Sequence, residues 1–522
     1  MKHKVIFIFI IILAVILRFW DLGKNPPGIN LDEAAIGYNA YSILKTGRDE
    51  YGQFLPLQFR SLDDYKPPLY IYLTVPSVAI FGLNEFAVRF PSALLGVMAV
   101  IIVYFLTKEL FQISNFKFQI ALVAAFLLAI SPWHIQFTRT AYETGSLAFF
   151  TTAGLLFFLY GLKNKKFFII SAFFFGLELY LYQAAKVFVP LFAIIVSSIY
   201  FRKSLAIFWA VFILFFIPVL ALSASKDGRL RAYGVSIFQD VRPHEENLAL
   251  KTQDWLRNDN KSAMIFHPEL LEFAPKIITN YLLHLSPQFL FGLNLGDKVN
   301  YVPNVGLMYL WELPFLLAGF HYLAKTKKPF LILICWVLLA PIPASITNNL
   351  PSSIRTAVFL PSFQIITAIG ILEIVKKYKF IGYWVLAIGL LSLSFYLHML
   401  FVHAPVLQSR TWYAGYKDLV LKSAQLSPGH DRVIVSNRLD QPLNFYQFFL
   451  KYDPERYQKV DGGRISGGFA ENDNHLANFY FRQNLNYDME RRTGRPLFVG
   501  LPDEFPSNVV PLAKFPFAII AQ

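Results

Sequence analysis

The 522-residue sequence holds a single cysteine, Cys335, and charged residues occupy only 16% of it, against roughly a quarter in soluble domains. One cysteine excludes a disulfide-stapled secreted scaffold and any cysteine-based metal or redox centre. Lying in an apolar run, Cys335 reads as a small buried hydrophobe. With 55% hydrophobic and 17% aromatic residues, including 53 Phe, the low charge excludes an ordinary soluble multidomain enzyme. A convincing internal repeat, a long linker and a low-complexity tract are also missing, so an inverted-repeat transporter is not visible. Acids are scarcer than bases, 34 against 48, which leaves a net charge of +14. In a soluble protein that excess would point to nucleic acid or an anionic surface.

Long apolar runs are what the chain has in quantity. A spanning helix needs about 20 mostly apolar residues, because backbone polar groups find no water in lipid. Runs of about that length lie at 5–20, 91–109, 118–133, 146–162, 167–183, 187–201, 204–222, 306–323, 329–346, 356–374 and 380–400, eleven in all. The first follows Met1-Lys2-His3-Lys4 and precedes Asp21 to Pro27 rather than a small-residue cleavage site, so it reads as a retained span. Segment 69–82 is apolar but short, with Pro76 in its middle. If it does not cross, the loops around Lys108/Lys117, Lys163/Lys165/Lys166, Arg202/Lys203, Lys325/Lys327/Lys328 and Lys376/Lys377/Lys379 share a side with Lys2 and Lys4, following the positive-inside tendency. It therefore reads as a juxtamembrane or re-entrant helix.

The expected fold class is thus an α-helical polytopic membrane protein, with about eleven transmembrane helices over 1–400, plus a C-terminal extracytoplasmic α/β domain over 401–522. The N-terminus is cytoplasmic, the protein is multi-pass in the plasma membrane, and 21–90, 223–305 and the tail lie outside. In the tail, apolar runs shorten to strand length at 433–435, 497–499 and 517–520. The basic excess follows the same plan. From residue 401 on there are 14 Lys+Arg and 12 Asp+Glu, and segment 21–90 has 8 acids against 6 bases, whereas the cytoplasmic ends and loops hold 15 Lys+Arg. The charge therefore reports orientation among membrane lipids, and no nucleic-acid partner is expected.

Candidate chemistry begins after the Pro26-Pro27-Gly28 turn. Asn30 followed three residues later by Glu33 makes a capping-box start to a helix, while a carboxylate just outside a membrane also suits a general base. Neighbours on a helix diverge by about 100°, so Asp32 and Glu33 cannot both face one atom: one catalyses and the other supports. Lys66, stiffened by Pro67-Pro68, is either a snorkelling anchor or a cation fixed for a lipid phosphate. Arg89, Arg139, Glu143, Lys186 and Arg355 lie at the outer ends of runs, and Glu178 lies deeper with Lys186 as a candidate partner. Each alone is an ordinary anchor. Gathered on one face, they suit a membrane-embedded phosphate beside a proton acceptor.

The ordered set Asp32-Glu33, Lys66-Pro67-Pro68-Leu69, Arg89-Phe90-Pro91-Ser92-Ala93, Arg139 to Glu143 and Tyr182 to Lys186 resembles the GT-C-fold glycosyltransferases that use polyprenyl-phosphate sugars. The likeness covers most of 1–375 and is to the bacterial protein O-mannosyltransferase and aminoarabinose transferase group. The resemblance implies inverting transfer from a polyprenyl-phosphate-linked sugar donor to a protein, lipid or glycan acceptor on the outer face. It places Asp32 at the catalytic acidic position as general base with Glu33 beside it, Lys66, Lys186 and Arg355 on the lipid phosphate, and Arg139, Glu143, Tyr182 and Arg89 around the sugar or acceptor. Tyr65 stands where aminoarabinose transferases carry an acid, and Ser352 where many relatives carry His. A divalent metal is thus possible for the group but unsupported by the ligand pattern, and no cofactor is expected. The rival class is a multi-pass lipid or glycolipid flippase, which would spread charges through the bilayer centre and over both faces.

Overall fold

The computed structural model describes residues 2–61, 64–112, 116–257, 260–268, 271–292, 300–461 and 474–522. The apolar runs fold as helices, the longest being Glu85–Leu110, Leu205–Ala224 and Lys379–His398. Among the described residues, five helices are long and apolar enough to cross a membrane, or six if the bent pair Lys117–Ile130 and Pro132–Thr138 is one span. That is fewer than the eleven runs, because turns end many of them early. The run 118–133 bends by 57° at Ser131, 167–183 is α-helical only over Phe167–Glu178, and 306–323 only over Leu313–Leu323. At 1.5 Å per residue, a 12-residue helix covers only about 18 Å of a hydrocarbon core about 30 Å thick. Segment 69–82 is the helix Leu69–Phe81, ended by Gly82 in a left-handed conformation (φ +74°) and likewise too short to cross.

The chain divides into two units. One comprises Met1–Ile12, Met98–His134 and Leu147–Tyr396; the other comprises Leu13–Val97, Ile135–Ser146 and Leu397–Gln522. In the first unit, small residues let helices meet backbone to backbone. A Cβ on Gly319 would come within 2.0 Å of the Ile366 carbonyl oxygen, and one on Gly370 within 1.9 Å of that of Phe315. Helices Leu313–Leu323 and Ser362–Lys377 therefore tolerate no side chain at either contact. The buried Glu178 carboxylate accepts from the Thr151 hydroxyl of helix Leu147–Gly161, a different partner from the Lys186 that sequence proximity suggested.

The second unit is built on helix Leu31–Thr46, whose middle, from Glu33 to Ala40, is buried. It packs against helix Leu69–Phe81 and, from the tail, against helix Pro442–Phe449. A short antiparallel hairpin, β1 (Phe59–Ser61) and β2 (Asp64–Lys66), lies between the first two helices in sequence, with Phe59 opposite Lys66. The tail carries β3 (Arg432–Ser436), β4 (His475–Leu476), β5 (Phe479–Arg482), β6 (Pro496–Gly500), β7 (Ala513–Lys514) and β8 (Ile519–Ala521), in sheet order β4-β5-β3-β6-β8-β7. Central β3 runs parallel to β5 and β6, pairing Val433 with both Phe479 and Leu497. Strands covered on both faces read as unbroken apolar runs, which is why the central ones were visible in sequence.

The tail does not stand apart from the acidic loop. Gln458 donates to the Ser42 and Thr46 hydroxyls at 3.0 and 3.2 Å and to the Asp49 carbonyl at 2.8 Å. Gln447 donates to Glu50 at 3.4 Å, and Lys417 pairs with Glu85 at 2.9 Å. Gly28 allows the closest approach: a Cβ there would sit 1.9 Å from the Trp412 carbonyl oxygen. Residues more than 330 positions apart thus share one unit, and only long-range packing could reveal it.

Candidate active site

Helix Leu31–Thr46 starts as its capping pattern anticipates. Asn30 is extended, its side chain accepts the Glu33 N–H at 2.8 Å, and the Glu33 carboxylate accepts the Asn30 N–H at 3.2 Å. Glu33 is fully buried and receives three further bonds: Arg89 Nε at 3.0 Å, Arg89 Nη2 at 2.9 Å and the Ala141 N–H at 2.8 Å. Both of its oxygens are filled, and the two-pronged arginine contact is the strong, directional kind. Its neighbour Asp32, turned by about 100°, keeps half of its side chain (52%) exposed.

Beneath Asp32 lies Lys66, whose side chain is only 7% exposed and whose ammonium pairs with Asp32 Oδ1. Strand β2 and the two prolines after it set that position before helix Leu69–Phe81 begins. Burial opposes the ammonium charge, but the carboxylates of Asp32, Glu143 and Glu50 outweigh it and hold Lys66 above the usual lysine range. Glu143, opening the 3₁₀ turn Glu143–Ser146, is close enough to act electrostatically on both Asp32 and Lys66.

Arg89 and Arg139, expected to line the sugar or acceptor pocket, instead have buried side chains engaged with backbone. Beyond Glu33, Arg89 donates to the carbonyls of Leu22 at 3.2 Å, Pro26 at 3.0 Å and Gly28. Arg139 donates to those of Leu17 at 3.1 Å, Arg18 at 3.4 Å, Trp20 at 2.8 Å and Asn25 at 2.8 Å. Residues 20–30 make a non-helical turn whose carbonyls need donors, and two multi-donor guanidinium groups supply them. Their positive charge is spent on the scaffold.

Several neighbours escaped sequence reasoning. Asn30 also donates to the Tyr142 hydroxyl at 3.0 Å; the Tyr142 ring lies 6.3 Å from that of Trp412, and the Arg89 guanidinium 6.0 Å from the Trp412 ring. Next to Trp412, the Tyr413 hydroxyl donates to Asp440, and its phenol is held above the usual tyrosine range by burial, then by Asp440 and by the more distant charge of Asp32. The tail, which matched no motif, thus contributes to the surroundings of Asp32.

Tyr182, Lys186 and Arg355 belong to the first unit. Lys186 sits in the first turn of helix Ala185–Ile199, and Tyr182 in the turn before it; both are half-buried. Arg355, also half-buried, donates to the Thr347 hydroxyl at 2.7 Å and to the Asn348 carbonyl. The loop bearing it is braced by His284, which sequence reading did not single out. With Nδ1 bonded to the Asn280 carbonyl at 2.7 Å, His284 Nε2 accepts the Ser352 N–H at 3.1 Å. Burial, with the nearby Arg355 charge adding to it, lowers the His284 pKa from its ordinary 6.5 to about 4. Among the described residues, no group of three His, Cys, Asp or Glu side chains could hold a metal ion.

Residues 65–222 match the family described as dolichyl-phosphate-mannose-protein mannosyltransferase. A protein of Aquifex aeolicus named only as uncharacterized is 30% identical over 163 residues, 31% of each chain. A candidate mannosyltransferase of Bacillus subtilis, YycA, is 30% identical over 116 residues, 22% of this chain and 16% of its own. The matched region thus spans about a third or less of these relatives' lengths. In fold, the chain resembles the crystal structure of ArnT from Cupriavidus metallidurans bound to undecaprenyl phosphate, with a TM-score of 0.55 and 14% identity over 98% of this chain and 97% of that one. The apo ArnT structure gives 0.54 and 13% over the same shares. The chain therefore shares the fold of ArnT along nearly its whole length and matches mannosyltransferase-family sequence over residues 65–222.

Proposed function

We propose that this protein transfers a sugar from a polyprenyl-phosphate-linked donor to an acceptor at the outer face of the plasma membrane, with inversion at the anomeric carbon. The carrying observation is the division of labour between adjacent acids: Glu33 is locked in the scaffold, while Asp32 is half-exposed and paired with a buried lysine. Asp32 takes the acceptor's proton as the acceptor oxygen bonds to the anomeric carbon; the bond from that carbon to the phosphate oxygen breaks, and its electron pair leaves with the lipid phosphate. Such base catalysis contributes about 10²- to 10⁴-fold. A phosphate leaving group needs no general acid, so one carboxylate suffices where soluble glycosidases use two. An ammonium has three donors, which lets Lys66 orient Asp32 and also meet the departing phosphate. On the family resemblance alone, Lys186 and Arg355 are proposed as contacts of a lipid phosphate, and Glu143 and Tyr182 as contacts of a sugar. Arg89 and Arg139 serve by holding the turn that carries the base. A cytoplasmic N-terminus and an outer tail follow from the basic loops.

The test is Asp32→Asn in purified protein reconstituted with undecaprenyl-phosphate mannose as probe. Release of undecaprenyl phosphate is expected to fall about 10²- to 10⁴-fold. Wild-type turnover by the Asn variant would overturn the role of Asp32. Movement of the donor lipid across the bilayer without its consumption would favour a flippase.

A further inference from the structure

Tyr413 and Asp440 come from the tail yet lie beside the acidic loop. Two contacts place this stretch there, and a third joins Tyr413 to Asp440. A Cβ on Gly28 would meet the Trp412 oxygen at 1.9 Å and the Tyr413 carbonyl carbon at 2.9 Å, so this backbone presses on the turn leading to Asn30 and Asp32. The Trp412 ring faces Tyr142, which bonds the N-cap Asn30. The Tyr413 hydroxyl donates to Asp440 Oδ2, and its ring is held between Phe445 at 5.1 Å and Tyr416 at 6.1 Å. Tyr413, Asp440 and Gln441 all adopt positive φ, at 52°, 64° and 53°. Side chains other than glycine adopt that conformation only at an energetic cost, and it persists only where the surroundings impose it. Asp440 is exposed, Asp32 half-exposed and Tyr413 half-buried, and the Asp32 charge is near enough to act on the Tyr413 phenol.

We propose that Tyr413 and Asp440 bind the acceptor of the Asp32 site, and that this acceptor is a hydroxyl-rich glycan. The proposal rests on the transfer reading above. Carboxylates only accept hydrogen bonds, and a phenol that gives its proton to Asp440 offers its oxygen as a further acceptor. A rim of two carboxylates and such a phenol calls for a partner with several O–H donors. Neighbouring sugar hydroxyls meet that need: one reaches Asp440, one Tyr413 oxygen, and the attacking hydroxyl Asp32. A peptide offers one hydroxyl per Ser or Thr, spaces its N–H donors one per residue along the backbone, and sets beside each a carbonyl that faces carboxylates unfavourably.

The test uses the full-length protein with undecaprenyl-phosphate mannose as donor and n-octyl β-D-glucopyranoside or a Ser/Thr peptide as acceptor. Tyr413→Phe keeps the ring, and Asp440→Asn keeps a residue that tolerates left-handed backbone, so both variants are suited to fold. Each is expected to raise the glycoside KM about tenfold, the loss of roughly one hydrogen bond, with donor KM and kcat nearly unchanged. The double variant is expected to lose less than the product of the two, because the pair acts as a unit. Unchanged glycoside KM in both variants, an equal rise in donor KM, or preferred transfer to the peptide would each overturn the proposal. Donor turnover that Asp32→Asn abolishes, but that these variants leave untouched in every constant, would overturn this rim alone. No donor turnover in the wild type would overturn the transfer reading, and the rim with it.

Discussion

The turn at 20–30 and the loop at 345–356 are both irregular and both held by arginine, but the arginines differ in origin and in burial. Arg89 and Arg139 reach the turn from distant helical segments, are buried, and spread their donors over seven carbonyls and the Glu33 carboxylate. Arg355 belongs to the loop it braces, bonds the adjacent Thr347 and Asn348, and remains half-buried. The fixed part of that loop depends on His284 and on Asn280, which donates to the Ser345 carbonyl at 3.0 Å. A cation whose donors are consumed inside the scaffold shapes a site; one left at a surface can meet an anion. In sequence the three arginines look alike.

Substitutions can break or sharpen that contrast. The largest effect is expected from Arg89→Ala, which strands the buried Glu33 charge and several carbonyls; a cost of about 3–5 kcal/mol would show as a sharp fall in thermal stability and in yield of folded protein. Arg89→Lys is expected to rescue little, since an ammonium cannot reproduce the two-pronged geometry. An Arg89→Ala protein as stable as wild type would erase the distinction.

An intermediate effect is expected at His284. Its folded pKa of about 4 lies below its ordinary 6.5, so the unfolded chain binds the proton more readily. The stability tied to the neutral ring is complete above pH 6.5 and drains away as pH falls through 6.5 towards 4. Protonation also removes the acceptor for the Ser352 N–H. Unfolding followed across this window should be steeper in pH for wild type than for His284→Gln; identical slopes would refute it.

The smallest stability effect belongs to Arg355→Gln. Thermal stability should shift by less than about 1 kcal/mol, as for a half-exposed charge, while donor KM rises. If stability collapses instead, Arg355 joins Arg89 as scaffold.

Much of the frame was legible. The capping pattern Asn30/Glu33, the short helix at 69–81 and the central strands of the tail are local, set by residues within a few positions of each other. The number of full-length spans was less legible, because hydropathy counts apolar residues and passes over the turns at Ser131 and at 179–184 that cut helices short. The residues by themselves read Asp32 and Glu33 as one catalyst and one support, and the family resemblance put Asp32 in the catalytic place. That Glu33 is locked in the scaffold depends on Arg89, 56 residues away from it, and on Ala141. Nothing local marks Tyr413 or Asp440 as neighbours of residue 32.

By itself the sequence determined the class of the molecule: an apolar, aromatic chain with bases gathered in short loops, whose helices and central strands follow from period and composition. Tertiary structure alone decided which charges became scaffold and which stayed open, and it joined the tail to the acidic loop. The physical reason is that hydropathy and capping act over a few residues, whereas the fate of a carboxylate or guanidinium is set by whichever donors and acceptors packing brings to it from anywhere in the chain.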